Sequence, residues 1–485
     1  MKYLFILHRY LGVVVGLIML MWCLSGFVMM YQSFPDTTQD EVYAGRDAIN
    51  LADCCALDRI GGADGEAAPG FEIRMRAGVP VLSMGRGGAA GMYDLTSGQA
   101  VSDLSQAEVR GEMQSFIAGN NLQGEITSLE PIVVDQWSVY MWKRAAPLWK
   151  AELNDRADTY LYVSGASGEV VQDANGMERF LSWFGAIPHW LYPQLIRQNQ
   201  PLWYQTVIWL TVVGIFLTVT GLLVGILRLR KRKGRWSPYK KPFWLWHHLG
   251  GTIAGLLVLT WAVSGLLTMQ PWGLLESEPT TSRSDLTGEM TWGETRRLIA
   301  GASDMLPEDV VSIRSAPFAG QAGLKAVRRS GEVMRLTERG VVSLTPESVE
   351  AVLVARGLPV SDVATLTSED AYYYGHKTAA RFPVLRVQLE DGDRSRAYID
   401  PASGELVRFV TATGKRYRWL ENGFHNFDWP VIQERPIWDV LTIILMLAVT
   451  LVCGTGAWLS ISRVRRDLRM MFRKPKRRRA QQAAE

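Results

Sequence analysis

Cysteine and histidine are both scarce in this chain of 485 residues, which has four cysteines and six histidines. No cysteine pair has the spacing of a zinc site, so the zinc-finger and zinc-ribbon classes are excluded. No C-x-x-C-H sequence is present, which excludes covalently attached haem. Cys23 and Cys453 fall in apolar stretches and are expected to be inert packing residues. Cys54 and Cys55 are adjacent in a polar segment, where oxidation can occur.

The sequence also lacks a dinucleotide-binding motif and acidic residues in its long apolar stretches, and each absence argues against one class of protein. No G-x-G-x-x-G sequence follows a predicted strand, so we expect neither NAD nor flavin to bind. Acidic residues are missing from the long apolar stretches. A transporter is therefore not favoured, because transporters carry ionisable groups or broken helices along their pathways.

Charged residues of either sign are missing from four stretches, 10–31, 203–227, 249–269 and 440–462. Each stretch is long enough to cross about 30 Å of hydrocarbon as a helix. The first is too long for a signal peptide and lacks an A-x-A-like cleavage site. We therefore predict four membrane-spanning helices embedded in a lipid membrane. The mean hydropathy of +0.01 predicts ordinary soluble structure for the remainder.

Basic residues are concentrated in short segments, although the net charge is only +4. The loop 228–241 holds eight Lys and Arg residues, and the tail 463–479 holds ten. The positive-inside rule places this loop and both termini in the cytoplasm, with segments 32–202 and 270–436 outside. Basic runs of this kind contact membrane surfaces, and nothing in the sequence indicates a nucleic-acid partner.

The first apolar stretch is repeated 239 residues further along the chain. The two copies read HRYLGVVVGLIMLMWCLSGFVMM at 8–30 and HHLGGTIAGLLVLTWAVSGLLTM at 247–269. On a helix, a histidine and two glycines spaced four residues apart lie on one face, and this pattern predicts a flat slot for a planar cofactor. These residues are His8, Gly12 and Gly16 in the first copy and His247, Gly251 and Gly255 in the second.

The segments before the second and fourth stretches also match each other. His189 aligns with His425, and Thr220-Gly221 aligns with Thr455-Gly456. Between the spans, both segments predict helices and strands that close on a hairpin with Ser-Gly-Glu in its turn. Helices are expected over 105–119, 291–302 and 345–357, and strands over 132–141, 147–155 and 158–173 among others.

The fold class is therefore an integral membrane protein with a four-helix bundle, built from two span–domain–span repeats that each carry an α+β domain. The predicted boundaries are 1–31, 203–228, 245–269 and 437–462 for the membrane helices, 32–202 and 270–436 for the two α+β domains, and 229–244 and 463–485 for the basic loop and tail.

Four of the six histidines occupy symmetric positions. The repeat would bring His8 opposite His247 at one face and His189 opposite His425 at the other. A histidine pair from facing helices is the usual way to hold b-type haem in a bundle, and iron offsets the cost of burying an imidazole. We therefore predict two b-type haems, each bound by one pair.

Alternatives stay open at these positions. A single histidine near a membrane surface is more often an interfacial residue, and double-glycine faces also suit helix packing. The sequence does not decide between His247 and His248 as the ligand. His248 aligns with Arg9, and either residue is expected to contact a haem propionate.

These motifs resemble the PepSY-associated transmembrane family. The resemblance is carried by the HRYLG and HHLGG spans, the VDQWSVY and YYYGHKT…FPVLRV segments, the IPHW sequence, and the hairpins ending SGEV and DPASGEL, and it extends from residue 3 to about 465. It implies an inner-membrane enzyme with periplasmic PepSY-like domains. Such an enzyme uses two b-type haems to reduce ferric siderophores with electrons from the cytoplasmic side. Because no NAD or flavin motif is present, we expect the electron donor to be a quinol or a separate cytoplasmic reductase.

The resemblance also implies residue roles. It assigns haem ligation to His8, His247, His189 and His425, and it places His376 at the periplasmic haem or the substrate surface. Two other functions remain open. One is a di-haem oxidoreductase that links quinone to another periplasmic partner. The other is a non-enzymatic PepSY module that binds peptides or restrains a peptidase, which predicts a colourless protein.

Overall fold

The computed structural model describes residues 2–51, 54–85, 91–231, 234, 236–302, 304–375 and 379–472. Four helices are long and apolar enough to cross a membrane, which confirms the four predicted spanning helices. We call them the first to fourth membrane helices, and they are Lys2–Met29, Gln200–Arg228, Pro242–Leu267 and Ile437–Met471.

The membrane helices pack as a ring. The first and third helices each contact the second and the fourth, so the first and third lie on a diagonal. Between them, Met19, Val258 and Val449 form an apolar core, with Trp22 and Trp261 packed against it. We call the end of the bundle that carries the N-terminus and the loop 229–241 the basic end, and the opposite end the domain end.

The two polar segments share one antiparallel sheet of seven strands. Its central pairing joins Phe71–Arg76 to Val310–Ser315, with Ile73 opposite Ile313 in a fully buried core. The sequence repeat predicts two domains, 32–202 and 270–436, and does not indicate that they share a sheet. In spatial order, the strands are Gly340–Val342, Val333–Thr337, Leu324–Arg328, Val310–Ser315, Phe71–Arg76, Val79–Met84 and Met92–Asp94. A short pairing of Ala67–Ala68 with Met290–Thr291 also joins the two segments.

Each segment has, in addition, its own antiparallel sheet of four strands. One consists of Ile126–Ile132, Leu148–Leu153, Tyr160–Ser164 and Val170–Ala174, and the other of Val360–Leu366, Val384–Leu389, Arg396–Ile399 and Leu406–Val410. The last hairpin of each sheet turns at a glycine with positive φ, Gly168 at 79° and Gly404 at 71°. Only glycine adopts this conformation without strain, which explains the Ser-Gly-Glu turns.

The predicted helices of both segments are confirmed. Gln106–Gly119 begins at a capping box of Ser105 and Glu108, and Pro346–Ala355 begins at Thr345 with Ser348. Trp292–Ala302 forms the third. The shorter helices are Gln39–Ala44, Leu57–Arg59, Gly176–Ser182, Ala186–Trp190, Gln194–Arg197, Pro271–Gly273, Arg283–Thr287, Ala412–Tyr417 and the π-helix Arg418–Gly423.

One strand prediction was wrong. Residues 132–141 were expected to form a strand, but the strand ends at Ile132 and a run of turns follows. The Asp135 carboxylate accepts hydrogen bonds from the backbone N–H groups of Trp137 and Ser138, both at 3.0 Å. This local bonding stabilises a turn in place of the extended chain that the apolar residues favour.

Candidate functional site

Two histidines lie opposite each other at the basic end of the bundle. His8 comes from the first membrane helix and His247 from the third. Their ring centroids are 6.2 Å apart, and the ring planes are inclined by 23°. The diagonal packing of these two helices therefore brings together the pair that the sequence repeat predicts.

The second membrane helix holds the His8 ring and the fourth holds the His247 ring. In both rings the contacting atom is Nδ1. His8 Nδ1 lies 3.1 Å from the Leu217 carbonyl and 3.3 Å from Thr220 Oγ1. His247 Nδ1 lies 3.2 Å from the Val452 carbonyl and 3.3 Å from Thr455 Oγ1. A carbonyl can only accept a hydrogen bond, so Nδ1 carries the proton and Nε2 keeps its lone pair. Histidines that bind metals are held in this way.

A glycine makes room for each of these rings. A Cβ atom on Gly221 would lie 2.7 Å from His8 Cε1, and one on Gly456 would lie 2.9 Å from His247 Cε1. Both distances are shorter than a Cβ contact allows. The Thr-Gly pairs that match in the sequence therefore have a role that the sequence did not show: the hydroxyl holds the ring and the glycine leaves space for it.

The second pair lies at the domain end. His189, in the short helix Ala186–Trp190, and His425 have ring centroids 6.3 Å apart and planes inclined by 54°. His189 Nδ1 lies 3.1 Å from Ser25 Oγ, and His425 Nδ1 lies 3.3 Å from Ser264 Oγ. Each serine hydroxyl donates its own proton to a carbonyl of its helix and therefore accepts from the imidazole.

Both separations suit two imidazoles bound to one metal ion. A bond from a metal to an imidazole nitrogen is about 2 Å long, and the ring centroid lies roughly 1 Å beyond, so the centroids of two opposed ligands are about 6 Å apart. The orientation of Nδ1 also leaves Nε2 of His8 and His247 as the ligand atom. The residues present therefore fit two haem groups with two histidine ligands each.

A cavity of about 620 Å³ surrounds the basic-end pair. Its volume falls within the range of about 300–1,000 Å³ that is typical of ligand pockets. The predicted slot glycines Gly12, Gly16, Gly251 and Gly255 all line it. The cations that line it can pair with propionate carboxylates, and they are Arg9, Lys241, Arg463 and Arg466.

The structure distinguishes His248 from its neighbour. Its Nε2 donates to the Gly225 carbonyl at 3.0 Å, and its Nδ1 lies 2.9 Å from Ser237 Oγ. Both ring nitrogens are therefore engaged, and His247 is the residue that faces His8. Arg9 is exposed at the cavity, and His376 lies outside the described residues.

The cysteines do not belong to either histidine pair, although Cys453 lines the cavity around the basic-end pair. Cys54 and Cys55 form a disulfide, and the sulfur atoms of Cys23 and Cys453 are 3.5 Å apart in the bundle. Within the described part of the chain, no group of three or more His, Cys, Asp or Glu side chains could hold a bare metal ion.

The family model for the PepSY-associated TM region matches residues 5–338. The chain belongs to this family. With its four apolar helices, this PepSY-associated protein is a membrane protein. The matched residues include His8, His189 and His247, whereas His425 follows them. No curated protein matches the chain.

Proposed function

We propose that this PepSY-associated protein is a di-haem reductase of the bacterial inner membrane that delivers electrons to ferric siderophores in the periplasm. The observation that carries the proposal is the presence of two histidine pairs, one at each end of the bundle, with centroid separations of 6.2 and 6.3 Å. A quinol or a cytoplasmic reductase would supply the electrons. A ferric chelate is reduced in this scheme, so the protein is an enzyme.

The orientation follows from charge. The basic end carries the Lys and Arg residues of the loop 229–241 and of the fourth helix's C-terminal turns, and the positive-inside rule places such residues in the cytoplasm. The sheets then lie in the periplasm. The corresponding contacts of His8 and His247 support an arrangement of two repeats.

The residues of the chain have distinct tasks in this function. His8 and His247 would hold one haem, and His189 and His425 would hold the other. The bound haem groups supply one-electron transfer. The Thr and Ser hydroxyls keep Nδ1 protonated, which orients each ring and makes Nε2 the basic nitrogen. Along the first helix, the 17 residues from His8 to Ser25 span about 25 Å, so the two pairs serve opposite faces of the membrane.

The chemistry at the acceptor is a one-electron reduction. Siderophores bind Fe(III) through hard oxygen ligands, and Fe(II) is a softer ion that such ligands hold less tightly. Reduction therefore weakens the chelate.

The test is an absorption spectrum of the purified protein, oxidised and then reduced, with a haem-to-protein ratio. We expect a b-type spectrum at about two haems per chain, since there are two histidine pairs. Anaerobic addition of a ferric siderophore should then reoxidise the protein and yield Fe(II). A colourless protein from haem-replete cells would instead support the peptide-binding module, and reoxidation by quinone alone would support the quinone-linked oxidoreductase.

Two variants of adjacent residues make this test specific. His247→Ala should lower the content to about one haem per chain, because each pair holds one group. His248→Ala is the matched control and should retain both haems. Two haems in the His247→Ala variant would contradict the ligand assignment.

A further inference from the structure

A second cavity, of about 810 Å³, lies outside the membrane helices. It is lined by residues of the seven-stranded sheet, among them Phe71 and Ser83, and by Ser164 and Val170 of the four-stranded sheet that begins at Ile126. We call it the domain cavity. Its volume is within the range of about 300–1,000 Å³ for ligand pockets.

The domain cavity adjoins the packing around the domain-end histidines. Met141 and Ala145 line the cavity, and both belong to the hydrophobic cluster that contains Ala186 and Ile187. Those two residues are part of the short helix that carries His189. The wall of the cavity and the helix that carries His189 therefore share one packed cluster, and an electron acceptor in the cavity would bind on the side of the domain-end pair.

Three carboxylates of the described residues line the cavity wall; Asp36 accepts a hydrogen bond from the Tyr140 hydroxyl at 3.1 Å, and the other two are paired with arginines. Arg46 forms salt bridges with both Glu72 and Glu169, and Arg314 lies 3.0 Å from Glu72. Burial raises the pKa of Glu72, but the charges of Arg46 and Arg314 outweigh burial and lower it to about 2. Glu72 and Glu169 are consequently ionised and committed to internal cations.

Two other arginines of the wall, Arg74 and Arg144, form no salt bridge among the residues that the structure describes, although the charge of Arg74 helps to lower the pKa of Glu169. Arg74 is only 3% exposed, and its guanidinium donates to the carbonyls of Met75 and Ser167. Arg144 is exposed and makes neither a hydrogen bond nor an ion pair through its side chain within those residues. A guanidinium group binds carboxylate-like oxygen pairs through parallel N–H donors.

We infer that the domain cavity binds the electron acceptor of the proposed reductase, as an anionic, oxygen-rich ferric chelate held by the exposed guanidinium of Arg144. This inference rests on the proposed function. One electron enters the chelate from the reduced protein, Fe(III) becomes Fe(II), and no proton or ligand atom is transferred.

The test separates binding from reduction. Ga(III) has the charge of Fe(III) but is not reduced under these conditions, so a Ga(III) tricatecholate complex reports binding alone. Equilibrium dialysis of this complex against the full-length, haem-loaded protein gives a Kd. Arg144→Glu should raise that Kd at least about tenfold, the size expected for a lost charge-assisted hydrogen bond plus a new repulsion.

The matched control is Arg156→Glu, since Arg156 is an exposed arginine in the turn between strands Leu148–Leu153 and Tyr160–Ser164 and does not line the cavity. It should leave the Kd unchanged. Both variants alter exposed side chains, and unchanged haem spectra would show that both are folded. An equal Kd for Arg144→Glu and the unaltered protein would overturn the inference.

A second measurement keeps the two proposals distinguishable. The reduced protein is mixed with the Fe(III) tricatecholate complex, and its reoxidation is followed. Slower reoxidation in Arg144→Glu, but not in Arg156→Glu, supports the cavity as the acceptor site. Reoxidation at the same rate in all three proteins overturns the cavity and leaves the reductase standing. Binding of the Ga(III) complex without reoxidation by the Fe(III) complex overturns the reductase instead.

Discussion

Each histidine of the two pairs is held by a hydroxyl residue that directly precedes a glycine in the sequence. These four dipeptides are Thr220-Gly221, Thr455-Gly456, Ser25-Gly26 and Ser264-Gly265. The hydroxyl determines which ring nitrogen carries the proton. At Gly221, Gly456 and Gly265 the missing side chain also lets the ring approach the helix closely, whereas a Cβ on Gly26 would lie 3.8 Å from His189 Cε1. The hydroxyl residue of each dipeptide thus orients one imidazole.

The space provided by Gly456 leads to a prediction. In Gly456→Ala, the new Cβ would lie 2.9 Å from His247 Cε1, and the ring would have to move. We expect this variant to lose the basic-end haem and to retain about one haem per chain. The measurement is the haem-to-protein ratio together with the reduced spectrum.

Gly454→Ala, in the same helix, is the control for this prediction. Its Cβ would meet Leu20 Cδ1 at 3.8 Å, which is ordinary van der Waals contact. This variant should keep both haems. If Gly456→Ala also kept both, the close approach of the ring to the helix would not matter for binding.

At the scale of elements, the strands Phe71–Arg76 and Val310–Ser315 are joined by charge as well as by backbone hydrogen bonds. Glu72, on the first strand, accepts from Arg314 on the second at 3.0 Å and from the Ser312 hydroxyl at 2.6 Å. Arg46 connects the same carboxylate to Glu169 of the neighbouring sheet. One cluster therefore ties both polar segments together.

This cluster predicts an acid-dependent loss of stability. The pKa of Glu72 is about 2 in the folded protein and about 4.3 in an unfolded chain. The carboxylate therefore stabilises the fold fully above about pH 4.3, and the contribution is lost as the pH falls toward 2. The apparent melting midpoint, followed by circular dichroism between pH 6 and pH 3, should fall less steeply in Glu72→Gln than in the unaltered protein.

Glu350→Gln provides the comparison. Glu350 is exposed on the helix Pro346–Ala355, and its carboxylate makes no hydrogen bond or ion pair with any described residue. This variant should show the pH dependence of the unaltered protein. The same slope in all three proteins would mean that the cluster does not couple folding to protonation.

Local signals explain which elements could be predicted from the sequence. Ser105 and Thr345 begin helices as N-caps, and apolar stretches without charge form the membrane helices. The turn at Asp135 was missed because its side-chain bonding is independent of hydrophobic alternation. The shared sheet was missed because alternation predicts which face of a strand is buried, but not which distant strand pairs with it.

The same limit applies to the candidate site. The repeat predicted that His8 would meet His247 and that His189 would meet His425, since equivalent positions become neighbours about a two-fold axis. The partners of Nδ1 could not be predicted, because they depend on which helices are adjacent in the ring. Only the packed bundle brings Thr220 to His8.

At the scale of the whole molecule, the distribution of charge predicts one orientation in the membrane. Alkaline phosphatase fused after residue 35 or 275 should be active, because the positive-inside rule places these points in the periplasm. Green fluorescent protein fused after residue 234 or at the C-terminus should fluoresce in the cytoplasm. Phosphatase activity after residue 234 would contradict the orientation and would place the basic end outside.

The seven-stranded sheet has a consequence for the order in which the protein matures. Strand Phe71–Arg76 leaves the ribosome long before Val310–Ser315, and two membrane helices are inserted between them. Until the later strand is synthesised, the earlier one presents an unpaired edge, which is open to aggregation or proteolysis. The first half of the chain therefore cannot complete this sheet until the second half is made. A protein truncated after the second membrane helix would keep the unpaired edge, which quality-control proteases can recognise.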